Sequence, residues 1–325
     1  MLIDTFGRKA TDLRISVTDR CNYRCVYCMP AHVEWMPKPE ILTFEEIQFL
    51  ARLFAAEGVK EIRLTGGEPL VRKDLHRLVS MLGEIEGIES ISLTTNGYHL
   101  KRQAQQLYDA GIRRINISLD SLRPKRFAEI TRSDSFNSVM EGIEEAKKTG
   151  FDPIKINCVA IRGFNDDEVV DFLRWGAENR LQIRFIEFMP LDGDHLWDLK
   201  NVLTQAEILE KAAQFQPVGG DAQGEPAPAV KYSYSDGAGE FGIIASVTEP
   251  FCSHCSRIRI TADGKFRNCL FALEETDLRG PLRAGAPPEE LVTLIRSAVL
   301  RKWAGHKIGD TDFVQPDRAM YAIGG

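Results

Sequence analysis

The sequence predicts an α/β fold: an incomplete (βα)6 TIM-like barrel with a smaller C-terminal α+β segment. Three observations lead there. Over the first two-thirds of the chain, strand-like runs alternate with amphipathic helix-like runs, the pattern of a parallel sheet covered by helices. Six such units fall short of the full ring of a closed barrel, so a laterally open one is expected. The strand runs also carry polar residues at period two, which suits a lumen that holds a polar ligand and not a fully packed interior.

The strand runs are Leu13–Thr18, Glu61–Thr65, Ser90–Thr95, Arg114–Leu119, Ile154–Ile161 and Gln182–Phe188. Between them, helical spacing of apolar residues marks Thr43–Glu57, Asp74–Leu82, Leu100–Ala110, Phe136–Thr149 and Asp166–Asn179. Thr43 followed by Glu46 is a capping-box start. Gly58, Gly111 and Gly150 follow three of these helices, where a left-handed C-cap is wanted. In the fourth strand Asn116, Ser118 and Asp120 share one face and Ile115, Ile117 and Leu119 the other. Ser92, Thr94 and Asn96 repeat the pattern, as do Arg63 with Thr65 and Lys155 with Asn157. A half-exposed sheet would give the same alternation.

After Met189 the pattern breaks. Val218–Ala229, rich in Gly, Pro and Ala, is expected to be a loop or linker. Short strands are expected at Lys231–Tyr234, Glu240–Val247, Arg257–Thr261 and Lys265–Arg267, then a helix at Glu289–Ala304. Ala262-Asp-Gly264 makes a hairpin turn between the last two strands. The expected division is a barrel over residues 1–217 and a cluster- and substrate-binding segment over 218–325.

With 43% apolar and 27% charged residues, the 325-residue chain has ordinary globular composition. No apolar run approaches the ~18 residues of a membrane-spanning helix. The start has no basic stretch followed by an apolar one, so no secretory signal is visible and a cytoplasmic location is expected. A net charge of −6 argues against a nucleic-acid-binding surface; a polyanion would need a local basic pocket. In a reducing compartment, clustered cysteines are metal ligands before they are disulfides. Six of the seven cysteines fall in two clusters; Cys158, inside an apolar run, is expected to be a small buried hydrophobe.

The first cluster is Cys21, Cys25 and Cys28, spaced C-x3-C-x2-C just after the first strand. Three thiolates can hold three irons of a cubane and leave the fourth open, whereas clusters used only for electron transfer normally have every iron capped. Zinc is the alternative, with His32 as the nearest extra ligand, but structural zinc wants four ligands. The second cluster, Cys252, Cys255 and Cys269, again has three members. Zinc is open here too, although His254, wedged between two of the cysteines, is poorly placed. Thr65-Gly-Gly-Glu-Pro69 follows the second strand; its glycines let backbone approach a ligand and Glu68 can accept from an ammonium. Arg257-Ile-Arg-Ile260 is strand-like, so both arginines project to one side, just past Cys255, and Arg is the preferred fork for phosphate oxygens.

The cysteine loop with Tyr27 before its last Cys, together with the Gly-Gly-Glu-Pro turn, resembles the radical S-adenosylmethionine superfamily. The resemblance narrows through Asp12-Leu-Arg-Ile-Ser-Val-Thr-Asp-Arg-Cys21, Leu93-Thr-Thr-Asn-Gly97, Ile117-Ser-Leu-Asp120 and Lys155-Ile-Asn157. With the C-terminal C-x2-C-x13-C and the final Gly-Gly, the whole chain is similar to the GTP 3′,8-cyclase family, lyases that open molybdenum cofactor biosynthesis.

That resemblance implies two [4Fe–4S] clusters and S-adenosylmethionine as cofactors. It implies that Cys21, Cys25 and Cys28 hold the cluster that chelates S-adenosylmethionine, and that Cys252, Cys255 and Cys269 hold a second cluster whose open iron faces guanine. Tyr27, Gly67, Ser118 and Met189 would contact S-adenosylmethionine. Arg14, Arg63, Thr94, Lys155, Arg257 and Arg259 would line the GTP pocket. Gly324 and Gly325 would reach the active site and assist radical initiation. The implied reaction takes hydrogen from C3′ of the GTP ribose, joins the C3′ radical to C8 and, with a second one-electron reduction and a proton, closes (8S)-3′,8-cyclo-7,8-dihydroguanosine 5′-triphosphate. The implied partners are a reductant such as flavodoxin or ferredoxin and a downstream cyclic pyranopterin monophosphate synthase, with monomer or homodimer left open. Two rival readings stand beside it: a different radical enzyme, for example a peptide-modifying one, and a zinc-bearing nucleic-acid or interaction protein.

Overall fold

Alternation of buried aliphatic residues along short runs, broken by glycine-ended helices, folds here into one extended sheet. The computed structural model describes residues 1–30, 32–215, 218–221, 229–234 and 239–324. Its centre is six parallel strands in sequence order. These are β1 (Asp12–Ser16), β2 (Glu61–Thr65), β3 (Ser90–Thr95), β4 (Arg114–Ser118), β5 (Ile154–Ala160) and β6 (Gln182–Glu187).

Helices fill the crossovers: α1 (Phe44–Ala56), α2 (Leu75–Gly83), α3 (Leu100–Asp109), α4 (Pro124–Thr131), α5 (Phe136–Thr149) and α6 (Val169–Asn179). In α1 the capping box forms: Thr43 Oγ1 accepts from the Glu46 amide at 3.1 Å and Glu46 Oε2 from the Thr43 amide at 2.8 Å. The helix then buries Ile47, Leu50, Ala51 and Phe54, a stripe at helical spacing. Burying the larger ones contributes ~1.5–3 kcal/mol each. Gly58, Gly111 and Gly150 all have positive φ, as the C-cap geometry requires.

Four elements differ from expectation. Helix α4 starts on Pro124 with no side-chain cap, so it left no start signal beyond the proline. Helix α7 (Gln205–Phe215) lies in the stretch after Met189 where the regular pattern is expected to break. Residues Asp166–Glu168, expected as the first turn of α6, instead form a separate 3-10 turn. Part of the expected linker is a strand, β7 (Val218–Asp221); residues 222–228 lie outside the described residues.

The remaining strands are β8 (Val230–Tyr234), β9 (Glu240–Ile244), β10 (Arg257–Ile260), β11 (Lys265–Arg267) and β12 (Thr276–Asp277). They extend the sheet at both ends, in the order β12-β11-β10-β1-β2-β3-β4-β5-β6-β9-β8-β7. Strand β10 pairs parallel with β1, and β9 pairs parallel with β6. Helices α8 (Arg279–Arg283), α9 (Pro288–Leu300) and α10 (Met320–Ile323) complete the described chain. No described helix is long and apolar enough to cross a membrane.

Candidate active site

One cavity, enclosing about 1640 Å³ of space with its open mouth, is lined by all six clustered cysteines. Both trios thus face the same volume. No disulfide links any of them. Among the described residues no three His, Cys, Asp or Glu side chains converge as the shell of a single metal ion. Each trio supplies three thiol sulfurs on the wall of one cavity, the donor chemistry of an iron–sulfur cluster.

The loop carrying Cys21, Cys25 and Cys28 is buttressed by the Gly-Gly-Glu-Pro turn. The Gly67 amide donates to Thr18 O and the Glu68 amide to Arg20 O, each at 2.8 Å. A Cβ on Gly67 would sit 2.5 Å from Asp19 O and 2.6 Å from Arg20 O, so only glycine allows this approach. The buried Glu68 carboxylate accepts from Thr95 Oγ1 (2.7 Å), the Asn96 amide (2.6 Å) and the Leu70 amide (2.9 Å). Burial nevertheless pushes it up to about 7. Tyr27 Oη donates to Asp120 Oδ2 at 2.7 Å, and Asp120 Oδ1 accepts from the Val159 amide at 2.9 Å, so the end of β4 pins the cysteine loop to β5. Burial pushes Asp120 up to about 6. Burial, then Glu68, raises Cys21 to about 11, and burial, then Asp120, raises Cys25. Thiolates here want a cationic metal partner.

In the second trio burial raises Cys252 as well, but Cys255 has the opposite setting. Burial pushes the Cys255 thiol up, but Arg257, Lys302 and Arg259 outweigh it and bring it down to about 7. Strand register explains the crowding of arginines. Arg259 of β10 lies opposite Arg14 of β1, which lies opposite Arg63 of β2, while Arg267 of β11 lies opposite Arg259. Like charges on adjacent strands destabilise a sheet. Arg267 is neutralised by Glu275 at 2.6 Å. The other three line the cavity, and Nε of both Arg14 and Arg259 is buried with no hydrogen-bond partner. Burial and then the neighbouring Arg257 push Arg14 and Arg259 down. Guanidinium stays charged in proteins, so this wall demands an anion.

Of the residues picked out in the sequence, Tyr27, Gly67, Ser118 and Met189 line the cavity, as do Arg14, Arg63, Thr94, Arg257 and Arg259. Lys155 does not. It lies on β5 two residues before Asn157, a cavity-lining residue; burial and then Arg184 bring it down to about 7. Gly324 packs over the strand ends, where a Cβ would lie 2.8 Å from Ser16 Cβ and 3.1 Å from Thr65 Cγ2. Gly325 lies outside the described residues. The tail's Tyr321 amide hydrogen-bonds Cys28, and Ile323 packs with Leu191 and Phe271.

Sequence reasoning missed Arg184, whose position opposite Asn157 puts it on the cavity wall. The period-two alternation of Gln182-Ile-Arg184 carried that signal. It also missed His306, which lines the cavity beside Cys252. Nothing local marks that histidine. Its Nε2 is 2.7 Å from Ser246 O and its Nδ1 accepts from the Ile308 amide at 3.2 Å, so neither ring nitrogen is free to serve as a fourth ligand.

Residues 15–176 match the family model described as Radical SAM superfamily, and residues 181–308 match Molybdenum Cofactor Synthesis C. The chain is 47% identical to the GTP 3′,8-cyclase of Streptomyces coelicolor, over 100% of this chain and 96% of that protein. It is 44% identical to the mitochondrial GTP 3′,8-cyclase of Arabidopsis thaliana, over 100% of this chain and 84% of that one. In fold it is similar to Streptococcus suis SuiB in its S-adenosylmethionine-bound crystal structure. That match has a TM-score of 0.67 at 14% identity and covers 96% of this chain and 76% of SuiB. Two cysteine trios on one cavity, the Gly-Gly-Glu-Pro buttress and this full-length similarity agree: the chain belongs to the GTP 3′,8-cyclase family of the radical S-adenosylmethionine superfamily.

Proposed function

We propose that this chain converts GTP to (8S)-3′,8-cyclo-7,8-dihydroguanosine 5′-triphosphate, the first step of molybdenum cofactor biosynthesis. The observation that carries the reading is a single cavity with three cysteines at each of two places on its wall and a row of arginines beside them. Cys21, Cys25 and Cys28 would hold one [4Fe–4S] cluster, and Cys252, Cys255 and Cys269 a second. When bound, the first cluster and S-adenosylmethionine supply one-electron cleavage of a sulfonium and a carbon radical able to take a ribose hydrogen.

The chain's own work is positioning. Tyr27, Gly67, Ser118 and Met189 would seat S-adenosylmethionine, with Glu68 near enough to the loop to accept from its ammonium. Arg14, Arg63, Thr94, Arg257 and Arg259 would hold GTP, the arginines as forks on phosphate oxygens and on the base, whereas Lys155, off the cavity wall, would act on it only from behind Asn157. Charge-assisted hydrogen bonds contribute ~1.5–3 kcal/mol each, so a few suffice to bind a triphosphate to a net-acidic protein. Gly324, over the ends of β1 and β2, would with Gly325 assist radical initiation. Residues 1–217 would form the radical-generating part and 218–325 the part that binds the second cluster and the base. The reading also implies a cytoplasmic one-electron donor such as flavodoxin or ferredoxin, and a synthase that rearranges the product to the cyclic pyranopterin.

The test is an anaerobic incubation of reconstituted protein with S-adenosylmethionine, dithionite and GTP deuterated at C3′. Deuterium should appear in 5′-deoxyadenosine, and a cyclised triphosphate should form. Cleavage of S-adenosylmethionine without label transfer would exclude the assigned hydrogen.

A further inference from the structure

Two buried cations grip the second cysteine trio from outside the cavity, and neither lines it. Arg8, oriented by Asp4 through Nε–Oδ2 at 2.6 Å, donates to the carbonyls of Cys252 (2.6 Å), Ala304 (2.8 Å) and Trp303 (2.5 Å). Lys302, only 5% exposed, donates from Nζ to Cys255 O at 2.9 Å and Arg257 O at 3.0 Å, and reaches Cys255 Sγ at 3.6 Å. These three acceptors match the three N–H donors of an ammonium, whereas a neutral amine has one fewer. None of the three is a carboxylate. Burying an ammonium without a carboxylate is costly. If holding two carbonyls were the only need, a neutral donor would do it without that cost. Burial pushes Lys302 down; the thiolate of Cys255, which it touches, then Cys269 and the Asp4 carboxylate act against that.

We propose that Lys302 is the built-in counter-charge of the group held by Cys252, Cys255 and Cys269, a positioning residue that sets that group's reduction potential. Adding an electron to a cluster adds negative charge, and a cation fixed against one of its sulfurs favours the added charge. Arg8 works alongside it: by holding the Cys252 carbonyl and the chain just after Lys302, it keeps the ammonium aimed at Cys255. This inference rests on reading the second trio as a cluster site.

The test uses full-length holoprotein with both clusters and compares wild type with Lys302→Met and Lys302→Arg. Potentiometric titration is followed by electron paramagnetic resonance, and the second cluster's signal is identified by its change on adding GTP. In Lys302→Met the reduced-to-oxidised ratio of the second cluster at a fixed potential should fall at least tenfold, a shift of about 59 mV for a one-electron couple. The first cluster's midpoint should not move. Lys302→Arg should stay within about threefold of wild type. Loss of second-cluster iron in Lys302→Met that is restored in Lys302→Arg would also support the proposal. It is overturned if Lys302→Met keeps the cluster with an unchanged midpoint, or if Lys302→Arg behaves like Lys302→Met. Failure of the underlying reading looks different: wild type itself would hold fewer than two cubanes, or GTP would move neither signal.

Discussion

The two cysteine trios share a cavity but sit in opposite electrostatic settings. Around the first trio, Glu68 acts on Cys21 against the weaker pull of Arg24, and Asp120 acts on Cys25. Around Cys255 the charged neighbours are Arg257, Lys302 and Arg259. Carboxylates oppose an added electron and cations favour it. Under the proposed function, the carboxyls beside the first trio would disfavour an added electron on a cluster held there. The other end is built to attract and hold an anion. What separates these roles is the strands and loops that flank each trio, since both trios are three cysteines on an open cavity.

The most severe way to break this division is to remove one cysteine from each trio. Cys25→Ala should bind about one cubane in place of two and lose reductive cleavage of S-adenosylmethionine by more than ~1000-fold, the order of a lost catalytic centre. Cys255→Ala should lose cyclised product to a similar degree yet still form 5′-deoxyadenosine. If Cys255→Ala stops cleavage as thoroughly as Cys25→Ala, the two ends do not divide the work.

A second test bears on the acidic end. Glu68 holds its proton up to about 7 in the fold, against an ordinary value of 4.5. Between those values the unfolded chain binds fewer protons than the folded one, so raising the pH favours unfolding. Through Glu68 alone, apoprotein should lose about 3 kcal/mol of stability from pH 4.5 to above pH 7. Glu68→Gln should remove that slope, as measured by denaturant unfolding at a series of pH values. An equal slope in the variant would place the pH dependence elsewhere.

At the basic end, Arg259→Ala should weaken GTP binding by the ~1.5–3 kcal/mol of a charge-assisted hydrogen bond, roughly 10- to 100-fold. Affinity for S-adenosylmethionine should stay as in wild type. Equilibrium binding under anaerobic conditions separates the two, and equal loss for both ligands would mean that the arginine row supports the whole cavity. The mildest change is a control remote from both trios. Thr43→Ala removes the cap of α1 and should cost ~1 kcal/mol of stability, with neither cluster's spectrum altered.

Much of the barrel was legible because its signals are local. Strands β2 and β3 and helix α5 occur with the bounds that their alternation and end residues mark. Helix α7 had a start signal that went unread: Thr204 and Glu207 are the two ends of a capping pattern, and the Thr204 amide donates to Glu207 Oε2 at 2.9 Å. The cysteines and the arginines of β10 were legible from spacing. The juxtapositions that give the site its electrostatics were not. Arg8 and Cys252 are 244 residues apart, and Lys302 is 47 residues from Cys255. No short-range pattern joins such pairs; only the strand order brings them together.

That strand order also bears on how the protein is made. The outer neighbour of β1 is β10, so the first strand of a growing chain is an unprotected edge until Arg257–Ile260 has left the ribosome. The loop of Cys21, Cys25 and Cys28 waits longer still, because the amide of Tyr321 completes the surroundings of Cys28. A nascent chain thus carries this cysteine loop with incomplete surroundings until Tyr321 has been added. Under the proposed function, a group bound by this loop would find its full surroundings only once the C-terminal segment is made.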